Sequence, residues 1–371
     1  VDAVSLGKGS HLTLTCNGEK QEATVQDESW NRMRLGHARL QAGKNTLRLT
    51  IEAVKSFQFD ALELTQPAIK ASLLQEALAS RQQADWFKDA GYGLMFQWTD
   101  RDTPPKGPIK GWEAKVHDFD VKAFAGMVEE SGATYVIWSV TWGRQCISTP
   151  LASLDHIIKG RTTTRDLLGE IADALHQKGI RLIFYYHYGY DCNHSIDADW
   201  MKASGGYKAD KTEFYQNLIS ILSEIGNRYG DKLGGWWFDG GQRYYNCHFD
   251  GSSAAEGILS APFKEITRAA RSGNARRIVA YNSWIKPRLT EYQDYYAGEG
   301  QRQLGQLKAG LFEDGPQEGL LGHGCFVLER KWGHIELNTP IAKPKYSLVN
   351  LTTLIKNAQT NRYPLSINLE M

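Results

Sequence analysis

Two acids stand out by their settings. Asp239 closes the strand-like part of Gly234–Gly241, which reads GGWWFDGG, and Glu299 lies between two glycines after Tyr295-Tyr296-Ala297. A carboxylate directly after Trp-Trp-Phe is costly to bury without a partner or a chemical task. Paired carboxylates in an aromatic-lined pocket are what glycoside hydrolysis needs. One attacks or stabilises an oxocarbenium-like centre; the other, its pKa raised by its surroundings, protonates the leaving oxygen. On that reading Asp239 is the nucleophile and Glu299 the acid/base, with the flanking glycines letting the acid swing between half-reactions. The plainer alternatives are that Asp239 caps the following segment or pairs with Arg243, and that Glu299 is a surface-loop glutamate.

Such a pair needs a scaffold that brings distant segments to one place. The GGWWFDGG run is too short for a helix, and its bracketing glycines suit a buried parallel strand. From Asp85 onward strand-like and helix-like runs alternate. The strand-like runs are Gly91–Trp98, Thr134–Trp142, Arg181–Asp191, the Asp239 run, Arg277–Trp284, Asp294–Gly300, His323–Glu329 and Pro364–Met371. Helices are expected at Phe119–Gly132, Thr162–Gly179 (with Thr164 as N-cap), Lys211–Gly230, near Ala254–Arg271 and near Tyr346–Gln359. This is an α/β pattern, and the expected architecture is a (β/α)8 TIM-type barrel over 85–371. A doubly wound sheet competes, but no Gly-rich phosphate turn is present. Residues 1–66 alternate as strands, with an Asn-Gly turn after His11–Cys16 and two short strands within Leu35–Ala53. They read as a small all-β, jelly-roll-like domain, possibly incomplete because a sandwich needs about 100 residues. Residues 67–84 read as a linker helix.

In a barrel every strand's C-terminal end faces one site. The residues expected there are Gln97 and Trp98, Thr141 and Trp142, His187, Tyr188 and Asp191, Asp239, Asn282 and Trp284, Glu299, and Glu329 and Trp332. Of these, Gln97, Trp98, Trp142, His187, Tyr188, Trp284 and Trp332 are the candidates to touch substrate. The 11 Trp and 17 Tyr suit flat contacts with sugar rings. With 43 basic and 42 acidic residues the net charge is +1, which gives no bulk case for nucleic acid or a membrane surface. No apolar run is long enough to span a bilayer, so no membrane insertion is expected. The five cysteines form no CxxC; a Cys192–Cys247 pair is left open. His187, His194 and Asp191 are the nearest thing to a metal set, but their spacing is not that of a zincin, so neither a metal nor a cofactor is expected. The chain begins at Val1 without a signal-like segment, so a preceding piece is expected to have been removed or left out.

From about Asp85 to the end, the chain resembles the retaining α-L-fucosidase family of glycoside hydrolases. WFKDAGYGLMFQW is similar to that family's W-x-K-x-A-K-F-G-I-F-I-H-W. RDLLGEIADALHQKGIRLIFYYHYGYD and GGWWFDGG are similar to its R-D-L-V…Y-Y-S and D-x-x-W-F-D-G segments. QDYYAGEGQ resembles its G-D-x-x-T-P-E-Q, and GCFVLERKWGHIE its W-E-x-C…S-W-G-Y, aligning Trp332. The resemblance implies a nucleophile at Asp239, an acid/base at Glu299 and a covalent glycosyl-enzyme intermediate. Residues 35–65 also resemble the second half of jelly-roll carbohydrate-binding modules.

The departures bear on substrate. The family's strand-one histidine is Gln97 here, and its strand-two His-His pair falls on Trp142 and Gly143. Sites built to hydrogen-bond one hydroxyl pattern discriminate strongly when their partners change. The expectation is double displacement on a fucose-like or related oligo- or polysaccharide. The alternatives are a glycan-binding barrel that has lost turnover, and a hydrolase of sulfated or methylated fucans using Arg144, Arg243, Arg302 and Lys331. Polymer-derived glycans are met outside the cytoplasm, so a secreted or periplasmic protein is expected.

Overall fold

The computed structural model describes residues 2–4, 7–26, 31–32, 34–55, 58–62, 64–189, 197–208, 211–239, 261–282, 288–305 and 307–371. They divide into two units: the described residues up to Glu76 with Arg288 and Asp314–Gln317, and those within Ala77–Ser283 with Leu289–Glu313 and Glu318–Met371. The helix Pro67–Ser80 runs across the division.

The first unit is built from strands β1 (Asp2–Val4), β2 (His11–Cys16), β3 (Glu19–Thr24), β4 (Asn31–Arg32), β5 (Leu47–Glu52) and β6 (Gln58–Ala61). They form two antiparallel sheets, β4-β1-β6 and β3-β2-β5. The β2–β3 hairpin turns on Asn17 (φ 49°) and Gly18 (φ 91°), the left-handed pair that matches strand twist. Leu12 and Leu14 pack with Val25 and Leu35 in a small core. Only the second of the two strands expected within Leu35–Ala53 forms. Ahead of it, Asn45 Oδ1 accepts from Gln41 N (2.7 Å) and Asn45 Nδ2 donates to Gln41 O (2.9 Å). A side chain that satisfies the backbone locally replaces the ladder.

In the second unit the strands are β7 (Tyr92–Phe96), β8 (Tyr135–Thr141), β9 (Arg181–His187), β10 (Leu233–Asp239), β11 (Ile278–Tyr281), β12 (Gly324–Val327) and β13 (Leu365–Leu369). They make one seven-stranded sheet in the order β11-β10-β9-β8-β7-β13-β12, every pair parallel. Helices Val121–Ser131, Leu167–Gln177, Thr212–Tyr229, Phe263–Ala270 and Leu348–Thr360 alternate with them. Helix Leu167–Gln177 is capped by Asp166, whose Oδ1 accepts from Gly169 N at 2.8 Å; the expected cap, Thr164, donates instead to Glu113.

Segment 294–299 is strand-like but irregular. Asp294 N donates to Val279 O (2.8 Å), Tyr296 N to Leu321 O (2.9 Å) and Cys325 N to Gly298 O (2.9 Å), which ties the segment to β11 on one side and β12 on the other. Gly298 takes φ 70°, and a Cβ there would lie 1.9 Å from His323 O. Gly298 therefore serves a close backbone approach and a pinned turn, not the hinge expected from the Gly-Glu-Gly pattern.

Side chains on alternate positions enter two different cores. Val136, Trp138, Phe184, Tyr186, Trp236 and Phe238 join the layer between sheet and helices. Met95, Tyr135, Ile137, Ile183, Tyr185, Trp237, Ala280, Tyr295 and Cys325 form a second cluster on the opposite face. This is the period-two alternation of a strand, with both faces buried.

Candidate active site

Asp239 ends β10 in the same phase as Trp237, so its side chain lies on the second, inner face. Its register partner on β9 is His187. Both are buried, Asp239 at 8% exposure. Tyr185, two residues before His187 and on the same face, donates its hydroxyl to Asp239 Oδ2 at 2.5 Å. The ring stacks on Trp237 with centroids 5.1 Å apart, and the Trp237 indole donates to Ala297 O at 2.8 Å. Burial, then the charge of Asp239, holds the Tyr185 hydroxyl well above the usual tyrosine range, which keeps it a donor.

Asn282 follows β11 directly and extends the ladder by one bond, its N donating to Phe238 O at 2.8 Å. Its Nδ2 donates to Asp239 Oδ1 at 3.0 Å and also to Glu299 Oε2. One amide nitrogen thus bonds both candidate acids. The two acceptor oxygens are thereby brought to the same amide group. The network runs Tyr185–Asp239–Asn282–Glu299, with the Gln97 side chain against the Tyr185 hydroxyl.

Around this network lie buried polar atoms with no hydrogen-bond partner among the described residues: Gln97 Oε1, Ser139 Oγ and Asn368 Oδ1. Ser139 is the register partner of Tyr185, and Asn368 that of Met95, so both share the inner face. Trp142 and Trp332 are half-buried and pack against the inner cluster. The Arg101 guanidinium sits 5.2 Å from the Trp142 ring centroid. Asn368 Nδ2 holds the Trp332 carbonyl at 2.8 Å. A Cβ on Gly333 would lie 2.9 Å from Gln97 O and 2.6 Å from Asp102 Oδ1, so the Trp332 turn sits directly on the loop after β7. Burial pushes the Asp102 carboxyl of that loop up to about 7. The His187 ring accepts at Nδ1 from Gly189 N (3.0 Å).

Two expected substrate contacts are core residues instead. Trp98 is one position out of phase with Gln97; it is buried against Trp112, Phe119 and Trp138, with ring centroids 4.9–5.9 Å away. Tyr188 is likewise out of phase with His187 and is fully buried beside Phe238 on the helix side. Glu329 points to the chain's end, its Oε2 accepting from Glu370 N at 2.9 Å. Trp284, Asp191, His194, Cys192, Cys247 and Arg243 lie outside the described residues, so the Asp239–Arg243 alternative does too. Arg144 pairs with Asp100 at 2.8 Å, Lys331 pairs with Glu336, and Arg302 lies 6.0 Å from the Tyr346 ring centroid. Tyr185, and the bridging role of Asn282, were not foreseen; the signal for Tyr185 was its period-two relation to His187.

A sequence profile of the family described as alpha-L-fucosidase matches residues 68–315, more than half of the chain. The chain belongs to the alpha-L-fucosidase family, and with it to the glycosidases. No curated protein matches in sequence. Among solved structures, the chain is similar to an alpha-L-fucosidase from Bacteroides thetaiotaomicron, with TM-score 0.51 and 18% identity over 78% of this chain and 68% of that one. It is also similar to alpha-L-fucosidase AlfC from Lactobacillus casei in complex with alpha-L-fucose product, with TM-score 0.51 and 15% identity over 77% of this chain and 89% of that one. These likenesses show the fold.

Proposed function

We propose that this chain is a retaining glycoside hydrolase that cleaves an α-L-fucoside or a closely related neutral glycoside through a covalent glycosyl–Asp239 intermediate. The observation that carries this reading is the Asn282 amide bonded to both acids. Two acids that share one amide donor stand close together, and retention uses a closer carboxyl pair (about 5–5.5 Å) than inversion (about 6.5–9.5 Å), which must admit a water. Asp239 attacks the anomeric carbon while Glu299 protonates the departing oxygen. Glu299 then deprotonates the water that releases the sugar. Gln97 Oε1, Ser139 Oγ and Asn368 Oδ1 are the atoms left to meet sugar hydroxyls, and Trp142 and Trp332 are the aromatic walls. One relative was trapped as a covalent intermediate with 2-fluoro-fucosyl fluoride, which favours the same route here. The reading takes segment 294–299 as the strand that closes an eight-stranded barrel, supported by its bonds to Val279 and Cys325. A secreted or periplasmic location goes with a polymer-derived substrate.

A second reading, a barrel that binds glycan without turnover, draws on Gln97 and Trp142 standing where the family has histidines. The test is a turnover screen of wild type and Asp239→Asn on aryl α-L-fucoside, α- and β-galactosides and fucose-containing polysaccharides. Activity that falls by about 10³-fold or more in the variant supports the hydrolase. No turnover, with glycan binding that Asp239→Asn leaves intact, favours the binding barrel.

A further inference from the structure

We infer that Asn282 is a positioning residue that couples the two acids, holding Asp239 and Glu299 in fixed relation to each other for double displacement by donating a hydrogen to each. The inference rests on the roles proposed for those two residues.

Asn282 is well placed to act this way. Its backbone is fixed by the bond to Phe238 O, and its side chain is 3% exposed. An ionised carboxylate only accepts, so the group facing both acids is the –NH2, which has one hydrogen for each. The bond to Asp239 uses Oδ1, while Oδ2 takes the Tyr185 hydroxyl. The two donors thus fix the plane of the Asp239 carboxylate as well as its distance from Glu299. Each donated hydrogen stabilises negative charge on the oxygen that accepts it.

The experiment compares wild type, Asn282→Ala and Asn282→Ser. In the pH profile of kcat/KM the acid limb reports ionisation of Asp239 and the basic limb deprotonation of Glu299. Loss of a donor to an ionised carboxylate raises its pKa, so both limbs move to higher pH, by about one unit in Asn282→Ala. Asn282→Ser keeps one donor hydrogen and should fall between. kcat should drop about 10- to 100-fold with KM little changed. Limbs that stay in place, whatever the loss of rate, overturn the proposal.

A second measurement needs no turnover. Carboxyl-carbon NMR titrations, assigned with Asp239→Asn and Glu299→Gln, should show both acids titrating higher in Asn282→Ala; unmoved titrations again overturn the coupling. If Asp239→Asn and Glu299→Gln stay active, the catalytic roles fail, yet the titrations still report whether Asn282 couples the pair.

Discussion

Tyr185 and Tyr186 are adjacent on β9 and both fully buried, yet they belong to different parts of the molecule. Tyr185 faces inward, donates to Asp239 and stacks on Trp237. Tyr186 faces the helices, donates to Gln145 Oε1 at 2.7 Å and packs near Trp236 and Phe238. The same division runs through β10, where Trp236 and Phe238 stack on each other with centroids 5.4 Å apart while Trp237 and Asp239 face the network. One residue of phase separates packing from chemistry. The outer face is held by aromatic edges and stacks, worth about 0.5–1.5 kcal/mol each beyond burial. The inner face carries charge and must satisfy it with donors.

If that division holds, the two faces should respond to substitution in opposite currencies. The largest effect is expected on the inner face. Glu299→Gln should lower kcat/KM by about 10²–10⁴-fold, most for aglycones that leave poorly and least for activated aryl groups. Its thermal midpoint should stay close to wild type, as a scan beside the kinetics would show. An equal loss for all aglycones would argue against the acid role.

The outer-face counterpart is Trp138→Ala. Trp138 is fully buried among Phe96, Phe119 and Phe124. Truncation should cost about 3–5 kcal/mol of stability in denaturant unfolding. The folded fraction should keep its pH profile. A shifted profile in a stably folded variant would break the separation of the faces.

Much of this arrangement was legible in the sequence. Alternating strand-like and helical runs located the parallel strands, and the Trp-Trp-Phe and Gly-Glu-Gly settings drew attention to Asp239 and Glu299, which Asn282 joins. Phase was not legible. When a strand is buried on both faces, both sets of positions are apolar or aromatic, and composition does not say which set looks inward. Trp98 and Tyr188 were therefore grouped with Gln97 and His187, though each is one position out of step. The bridge was hidden for another reason. Tyr185 lies 54 positions from Asp239 and Asn282 lies 43, so only the parallel pairing of β9, β10 and β11 brings them together. Gly298 and Gly300 read as a hinge because nothing local shows that Gly298 presses on the His323 carbonyl.

Tyr185→Phe sharpens the comparison within one strand. It removes one donor from Asp239 and nothing from the stack on Trp237. The expected loss is about 10- to 100-fold in kcat/KM, the worth of a hydrogen bond to a charged group. Binding of a neutral sugar, measured by calorimetry, should change little. A rate equal to wild type would mean that the Tyr185 hydroxyl does not set Asp239.

The smallest effect is expected at Tyr188, the residue that strand-end reasoning placed in the sugar site. Its hydroxyl is buried and has no partner among the described residues. A buried hydroxyl without a hydrogen bond carries a desolvation cost that phenylalanine does not. Tyr188→Phe should therefore leave kcat/KM within about twofold and leave stability unchanged, or raise it by up to about 1 kcal/mol. The ring stays and keeps its packing on Phe238, so the substitution tests the hydroxyl alone. A tenfold loss of activity would show that this hydroxyl reaches the inner face. The clean division between the two sides of β9 would then fail at the residue that follows it.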